Sequence, residues 1–187
     1  MKSYIPTINI SSLLDKNFKS VNAKKTIKKI EKACVEVGFF QITNHGIKKK
    51  NIDDIAKVGK YFFNSSAKNK LKLAPKKWNN LNTNIYRGYF PADVNGKEGL
   101  DIGDLKVTKK YALKLKNSYI ECLNLNKAFN KKSINILSNY FDQIFILGEI
   151  LFKSIIQLYK KDIKNSKLAF SRLKTLSTLR FNCYLNK

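Results

Sequence analysis

Residues 38–47 read GFFQITNHGI and contain the only histidine of the chain, His45. Gly38 is suited to follow the last turn of a helix, because glycine tolerates the left-handed conformation found there. Residues 39–43 are aromatic and β-branched and predict a short strand. Residues 44–46 read NHG and predict a turn. The stretch therefore predicts a helix, a strand and a turn in immediate succession.

The segments on either side extend this pattern. Residues 4–10 alternate apolar and polar side chains and predict a strand, with Pro6 at a strand start or a sheet edge. Residues 21–37 predict a helix with one apolar face and many lysines elsewhere. Residues 51–64 predict a second helix, and Ser65 or Ser66 is expected to cap a further turn.

The second half of the chain predicts one long helix over residues 131–161, preceded by a helical region from about 117. Residues 76–107 are rich in glycine and asparagine and predict a long irregular loop. One or two further turns are expected over 165–173, and residues 176–184 predict a strand. The only visible partners for that strand are the two near the N-terminus.

The composition predicts a globular protein of one domain, or one domain and part of a second. Its 187 residues include 12 Phe and 9 Tyr, enough for a core. The three cysteines lack metal or disulfide spacing and predict reduced thiols in the cytoplasm. We expect no signal peptide, and charged residues within the apolar stretch 140–159 argue against a membrane span.

The formal charge of +24 raises the alternative of a nucleic-acid or anionic surface partner. Only Arg87, Arg172 and Arg180 are arginines among the 37 basic residues. Arginine is the residue whose forked geometry suits bases and phosphates. Lysine, asparagine and isoleucine all have A/T-rich codons, so a compositional bias explains the charge without a partner. Nucleic acid is therefore an unlikely partner, and the lysine runs indicate a solvated face.

Four segments carry a family resemblance. They are IPTINISSL at 5–13, EKAC at 31–34 with GFFQITNHGI at 38–47, YRGY at 86–89 with KEGLDIG at 97–103, and STLRFNCY at 177–184. In this order they resemble the N-terminal half of the isopenicillin N synthase-like oxygenases. These are iron(II) enzymes, most of them dependent on 2-oxoglutarate.

The resemblance implies an α+β fold with a helical N-terminal layer and the first strands of a double-stranded β-helix, or jelly roll, whose barrel is incomplete in this chain. Residues 1–115 would form the N-terminal dioxygenase-type region. Residues 116–187 would lead into the first strand of a truncated catalytic domain. The family binds iron with an HxD segment and a later histidine, and 2-oxoglutarate with a later Arg-x-Ser, all beyond the strand matched by 177–184. Leu185 replaces the family's usual proline, which suggests that the reading frame diverges or is cut there.

The resemblance also implies site residues. Asn182 and Tyr184 lie two apart on a predicted strand and therefore share a face, where the family contacts 2-oxoglutarate. Arg180 lies on the same face, as a structural ion pair or a pocket group. Arg87 and Tyr89 match the loop in which the family often contacts substrate, although a surface arginine in a turn is the simpler interpretation.

No catalytic residue or metal ligand is expected in this chain. His45 matches a position that is not a ligand in the family, and a structural role is expected for it. Asp101 and Asp104, with Glu98 nearby, could suggest a metal pair, but solvated loop carboxylates are the favoured interpretation.

The leading functional hypothesis is the N-terminal portion of an oxidoreductase that uses Fe(II) and 2-oxoglutarate on a small molecule and is inactive as this isolated chain. The family implies both cofactors, which this chain alone is not expected to bind. One alternative is a fragment complemented by a second, C-terminal chain that carries the metal site. Another is a non-catalytic basic module that binds nucleic acid.

Overall fold

The structure is a computed structural model that describes residues 5–92, 96–107, 121, 123–159, 172 and 177–184. Packing divides the chain into two compact units. The first comprises Met1–Lys48 and Asp142–Phe170, and the second comprises Lys49–Phe141 and Ser171–Lys187. The division at residues 115 and 116 follows family regions rather than packing and stays a prediction. Helices and strands together confirm the α+β class.

The first unit contains a parallel pair of short strands, β1 (Thr7–Asn9) and β2 (Gln41–Thr43), joined through helix α1 (Val21–Glu36). Parallel strands need a crossover of this kind. The Ser20 hydroxyl caps α1 by accepting the N–H of Ala23 at 3.1 Å. At the other end, Gly38 has a φ of +90°, as its place after the helix predicts.

Helical periodicity positions the core of the first unit. The apolar face of α1 is buried, while its lysines lie on the exposed remainder. The residues that share this core are Ile8, Ile10, Leu13, Ala23, Ile27, Ile30, Ala33, Leu147 and Ile150. Burial of these side chains stabilises the unit by the usual apolar transfer, about 1.5–3 kcal/mol for each large one.

The second unit combines helices with an antiparallel sheet. Helix α2 (Lys49–Phe63) is followed by the short helix α3 (Ala67–Leu71), which Ser66 caps by accepting the N–H of Asn69 at 3.3 Å. The sheet has the order β3-β4-β5, with β3 at Gly88–Phe90, β4 at Lys97–Gly103 and β5 at Thr178–Tyr184. The central strand β4 is buried over nearly its whole length.

Aromatic packing organises the core of the second unit. The Phe62 ring is fully buried, with its centroid 5.3 Å from that of Phe129 and 5.8 Å from that of Tyr89. Such pairs add about 0.5–1.5 kcal/mol beyond the area they bury. The other buried members are Ile55, Val58, Leu73, Ala74, Leu100, Ile102, Leu125 and Leu137.

The long predicted helix is confirmed as α4 (Lys131–Ile156), which continues into a 3-10 turn at Gln157–Tyr159. Its residues up to Phe141 pack in the second unit, and those from Asp142 pack in the first. Within the described residues, every helix is too short or too polar to cross a bilayer. Of the helical region expected from about 117, the described part contains one 3-10 turn, at Leu125–Lys127. The turns expected over 165–173 fall outside the described residues except at residue 172.

Two expectations about strands were wrong. Residues 76–107 are not one irregular loop, because they contain β3 and the seven-residue strand β4. The strand near residue 180 does not pair with those near the N-terminus. It pairs with β4 instead, with Asp101 opposite Arg180. Three of the glycines that suggested a loop lie in these strands, and at Gly88 and Gly103 an added Cβ would clash with neighbouring atoms.

Candidate functional site

The sheet of the second unit has a core side and an exposed side. On β5, Leu179, Phe181 and Cys183 are half-buried, whereas the alternate residues are exposed. We call the second set, together with the residues opposite them on β3 and β4, the outer face. It consists of Gly88, Phe90, Lys97, Gly99, Asp101, Gly103, Thr178, Arg180, Asn182 and Tyr184. This alternation follows from the two-residue repeat of a strand.

Asn182 and Tyr184 therefore share the outer face, as their spacing predicts. Asn182 lies opposite Gly99, and Tyr184 lies opposite Lys97 and is 70% exposed. A Cβ built at Gly99 would meet nothing closer than 3.9 Å. An added Cβ would therefore make ordinary van der Waals contacts with Phe90 and with the backbone of Phe181. A role for Asn182 and Tyr184 in binding 2-oxoglutarate stays a prediction.

A forked ion pair crosses the outer face. Arg180 donates from Nε to Asp101 Oδ1 at 2.6 Å and from Nη2 to Oδ2 at 2.5 Å. The Asp101 side chain is only 4% exposed, whereas that of Arg180 is 60% exposed. The carboxylate raises the pKa of the Arg180 guanidinium further, first through the hydrogen bond and then through its charge. The guanidinium therefore covers a carboxylate that would otherwise face solvent.

Arg87 lies inside the second unit rather than on a free loop surface. Its side chain is buried, and the guanidinium donates to the carbonyl oxygens of Glu121 and Ser177, each at 3.2 Å. It also lies against Gly103, where an added Cβ would approach Arg87 Nη1 to 1.9 Å. Arg87 thus joins three separate segments, and its predicted contact with substrate stays a prediction.

Tyr89 belongs to a buried polar cluster on the core side of the sheet. Its phenol donates to Oε1 of Glu98, and Lys70 Nζ donates to the same oxygen at 2.7 Å. Lys70 Nζ also lies 5.4 Å from the centroid of the Tyr89 ring. Burial, and then the hydrogen bond and charge of Glu98, raises the pKa of the Tyr89 phenol well above its usual value. A predicted contact of Tyr89 with substrate stays a prediction.

The interpretation of Glu98, Asp101 and Asp104 as solvated loop carboxylates was wrong. Glu98 pairs with Lys70, Asp101 with Arg180, and Asp104 with Arg172, whose Nε donates to Oδ2 at 2.5 Å. All three carboxylates are nearly buried, and each has a cation of its own. Burying a carboxylate is tolerable only with such partners, so the three act as links within the unit.

The described residues do not fit the iron ion that the resemblance implies. Nδ1 of His45 accepts the N–H of Ile47 at 3.2 Å, within the turn that follows β2. Across the described part of the chain, no three histidine, cysteine, aspartate or glutamate side chains come close enough to hold a metal ion. A facial triad needs two histidines and a carboxylate around one ion.

Sequence reasoning missed two residues that shape this unit, Lys70 and Glu121, and it placed Glu98 among solvated carboxylates. Glu98 had a usable signal, since KEGLDIG alternates Glu98, Leu100 and Ile102 with Lys97, Gly99 and Asp101. Lys70 stands in a lysine-rich stretch and had none, because its burial depends on a partner 28 residues away. Glu121 likewise contacts a segment about 35 residues earlier.

Residues 5–129 match the family model described as the N-terminal region of the non-haem dioxygenases in morphine synthesis. The chain belongs to this family, which is the N-terminal region of the iron(II)- and 2-oxoglutarate-dependent oxygenases. The matched range includes α1 to α3 and strands β1 to β4. The family resemblance read from the sequence is therefore confirmed.

Curated relatives agree with this assignment. The chain is 38% identical over 83 residues to the protein Downy Mildew Resistance 6 of Arabidopsis thaliana, covering 43% of this chain and 22% of that protein. It is 31% identical over 101 residues to isopenicillin N synthase of Streptomyces griseus, covering 54% and 29%. It is 28% identical over 169 residues to a probable iron/ascorbate oxidoreductase of Dictyostelium discoideum, covering 81% and 44%. The chain thus spans less than half the length of each of these relatives.

Solved structures share the fold. A putative 2-oxoglutarate–Fe(II) oxygenase family protein from Caulobacter crescentus matches with a TM-score of 0.64 and 17% identity, covering 87% of this chain and 51% of that one. The dioxygenase for auxin oxidation 1 from Arabidopsis thaliana, in a binary complex with 2-oxoglutarate, matches with a TM-score of 0.62 and 19% identity, covering 87% and 53%. At these identities the likeness shows the fold alone.

Proposed function

We propose that the chain is the N-terminal portion of an oxidoreductase that uses Fe(II) and 2-oxoglutarate to oxidise a small molecule. The double-stranded β-helix is incomplete within it, and the chain alone performs no turnover. The family assignment supports the chemistry. The limited share of each relative that the chain covers supports the incomplete barrel.

The outer face is the observation that carries this proposal. By the sequence resemblance, Asn182 and Tyr184 match family positions that face the barrel interior, and the exposure of both side chains, with Asn182 opposite Gly99, supports this role. An exposed tyrosine and asparagine beside the forked ion pair of Asp101 and Arg180, whose guanidinium is exposed, suit a polar ligand with oxygen acceptors. In the complete enzyme this face would form one wall of the 2-oxoglutarate site.

The edge of β5 favours complementation. Among the described residues, β5 hydrogen-bonds to β4 on one side and to no strand on the other. A strand edge of this kind is a template for a further strand. We propose that additional barrel strands and the three iron ligands are supplied by a second chain, as a stoichiometric complex in the cytoplasm.

The experiment that tests the function is a succinate assay with and without the rest of the barrel. Purified chain supplied with Fe(II), 2-oxoglutarate and ascorbate is expected to release no succinate above a metal-only blank. Sequencing the DNA beyond the Lys187 codon identifies any encoded HxD, histidine and Arg-x-Ser segment. Co-expression of that segment is expected to give a one-to-one complex that releases succinate.

Two outcomes would contradict the proposal. Succinate release by the pure 187-residue chain would show that the metal site is complete without a second chain. A monodisperse monomer with sharp, cooperative unfolding, and no binding to the encoded segment, would contradict complementation. The positive control is an intact 2-oxoglutarate oxygenase assayed in parallel. Its release of succinate shows that the iron and ascorbate supplied are active.

We also propose that nucleic acid is not a partner. The lysines of α1 lie on the helix face opposite its buried residues, where water solvates them. We expect labelled duplex and single strands to bind weakly at physiological salt. Tight binding whose affinity falls steeply with salt would favour a basic binding module instead.

A further inference from the structure

Three consecutive backbone N–H groups converge on one carboxylate in the second unit. Ile85 donates to Oε1 of Glu121, while Tyr86 and Arg87 each donate to Oε2 at 2.8 Å. The carboxylate therefore accepts three hydrogen bonds, through both of its oxygens, from three consecutive residues. We call these three N–H groups the amide cradle.

The amide cradle has the chemistry of an anion site. Successive N–H groups that point into one concavity carry partial positive charges, and proteins use such arrangements to bind carboxylates and phosphates. Hydrogen bonds from N–H groups to an ionised acceptor are stronger than neutral ones. The planar, two-oxygen geometry of Glu121 matches three donors on adjacent residues, and a free carboxylate would match them equally.

Exposed side chains border the cradle. Ile85 is 60% exposed and Tyr86 is 51% exposed, so an aliphatic and an aromatic side chain lie at the surface beside the amides. The formal charge of +24 favours anions over the whole surface. An exposed rim of Ile85 and Tyr86 favours a carboxylate that carries an apolar or aromatic group.

The scaffold behind the cradle is fixed. Arg87, whose N–H is the third donor, is buried, and its guanidinium is bound to the carbonyl oxygens of Glu121 and Ser177. Gly88, the next residue, has a φ of +121°, and an added Cβ there would approach the carbonyl oxygen of Leu73 to 2.0 Å. These contacts hold the backbone in place when the Glu121 side chain rotates away.

We propose that the amide cradle of Ile85, Tyr86 and Arg87 is a binding site for the carboxylate of a small apolar or aromatic acid, and that Glu121 is an internal ligand which this acid displaces. The three donors and Glu121 all lie among the described residues, and the proposal does not depend on the oxygenase function or on a second chain. Glu121 lowers the apparent affinity of the amide cradle for the acid, because the cradle is free of the Glu121 carboxylate for only part of the time.

The test is a nuclear magnetic resonance titration of the isotope-labelled full chain with phenylacetate. Saturable shifts of the Ile85, Tyr86 and Arg87 amide signals are expected, and the neutral phenylacetamide should leave these signals unmoved. In Glu121→Gln the apparent Kd for phenylacetate is expected to fall about tenfold, since the internal carboxylate no longer competes. Glu31→Gln, at an exposed position of α1, makes the same change in net charge and should keep the wild-type Kd.

Several results would overturn the proposal. These are the absence of saturable amide shifts in the wild-type chain, equal shifts with phenylacetamide, or weaker binding in a folded Glu121→Gln. The last result would show that Glu121 only links the two segments and does not compete with a ligand. If Glu121→Gln loses its cooperative thermal transition, the wild-type titration alone decides. Failure of the succinate assay with a second chain would leave this result unchanged, so the two proposals fail separately.

Discussion

Nζ of Lys70 lies 2.7 Å from Oε1 of Glu98, with both side chains almost completely buried. The pair links α3 to the central strand β4, and the phenol of Tyr89 on β3 donates to the same carboxylate oxygen. Oε2 of Glu98 is also buried and has no hydrogen-bond partner among the described residues. The charge of Glu98 is therefore stabilised through one oxygen by two donors, which makes the cluster sensitive to the loss of either.

Lys70→Met is expected to destabilise the chain by about 3–5 kcal/mol, because it leaves an uncompensated carboxylate in the core. Lys49→Met is the matched control, since Lys49 lies 2.8 Å from Asp53 in an exposed pair on α2. Exposed pairs contribute about 0–1 kcal/mol. Denaturant unfolding followed by circular dichroism measures both, and equal losses in the two variants would contradict a special role for the buried pair.

Stability is expected to fall with pH above about 10, in part through Tyr89. The usual pKa of the phenol is 10.0, and burial beside Glu98 raises it in the folded chain. Above pH 10 the unfolded phenol loses its proton while the folded one keeps it, so the unfolded state binds fewer protons and unfolding becomes more favourable.

Tyr89→Phe should flatten this alkaline loss of stability while costing about 1–3 kcal/mol at neutral pH, because Glu98 loses a donor. Tyr140→Phe is the control: burial alone raises the pKa of the Tyr140 phenol. Its removal should change the alkaline slope without a comparable cost at neutral pH. Thermal unfolding between pH 7 and 11 gives both slopes, and an unchanged alkaline slope in Tyr89→Phe would exclude Tyr89 as a contributor.

Gly103→Ala is expected to destabilise the second unit by about 1–3 kcal/mol, as overpacking commonly does. The new Cβ would lie 1.9 Å from Nη1 of Arg87. That guanidinium cannot move cheaply, because it is bound to two carbonyl oxygens. Gly99→Ala, in the same strand, meets nothing closer than 3.9 Å and should cost less than about 1 kcal/mol. Thermal melts that rank the two alanine variants in the opposite order would contradict this account of Arg87.

Asn182→Ala is expected to leave the stability of the chain within about 0.5 kcal/mol, because the side chain is exposed. Phe181→Ala, the adjacent residue on the core side of β5, should cost about 2 kcal/mol or more. In a reconstituted enzyme, Asn182→Ala should raise the KM for 2-oxoglutarate with a smaller effect on the other substrate. An unchanged KM for 2-oxoglutarate would remove Asn182 from the proposed binding face.

Local patterns made much of the fold predictable. The periodic apolar residues of α1 and α4, the Ser66 cap and the Gly38 position depend on neighbours within a few residues. Long-range partners could not be predicted in this way. The glycines of β4 suggest a loop in the sequence. In the fold, Gly103 lies against Arg87 and Gly99 lies beside Phe90. The burial of Lys70 and the contacts of Glu121 each need a segment far away in sequence.

The pairing of β4 with β5 has a consequence for the order of folding during synthesis. Glu98 lies opposite Cys183, so β4 leaves the ribosome long before its neighbour exists. At about 5–20 residues per second, translation leaves one edge of this central strand open for several seconds. During that interval the nascent chain offers an unpaired strand edge to any other chain nearby. The sheet of the second unit can therefore close only late in synthesis, after β5 has emerged.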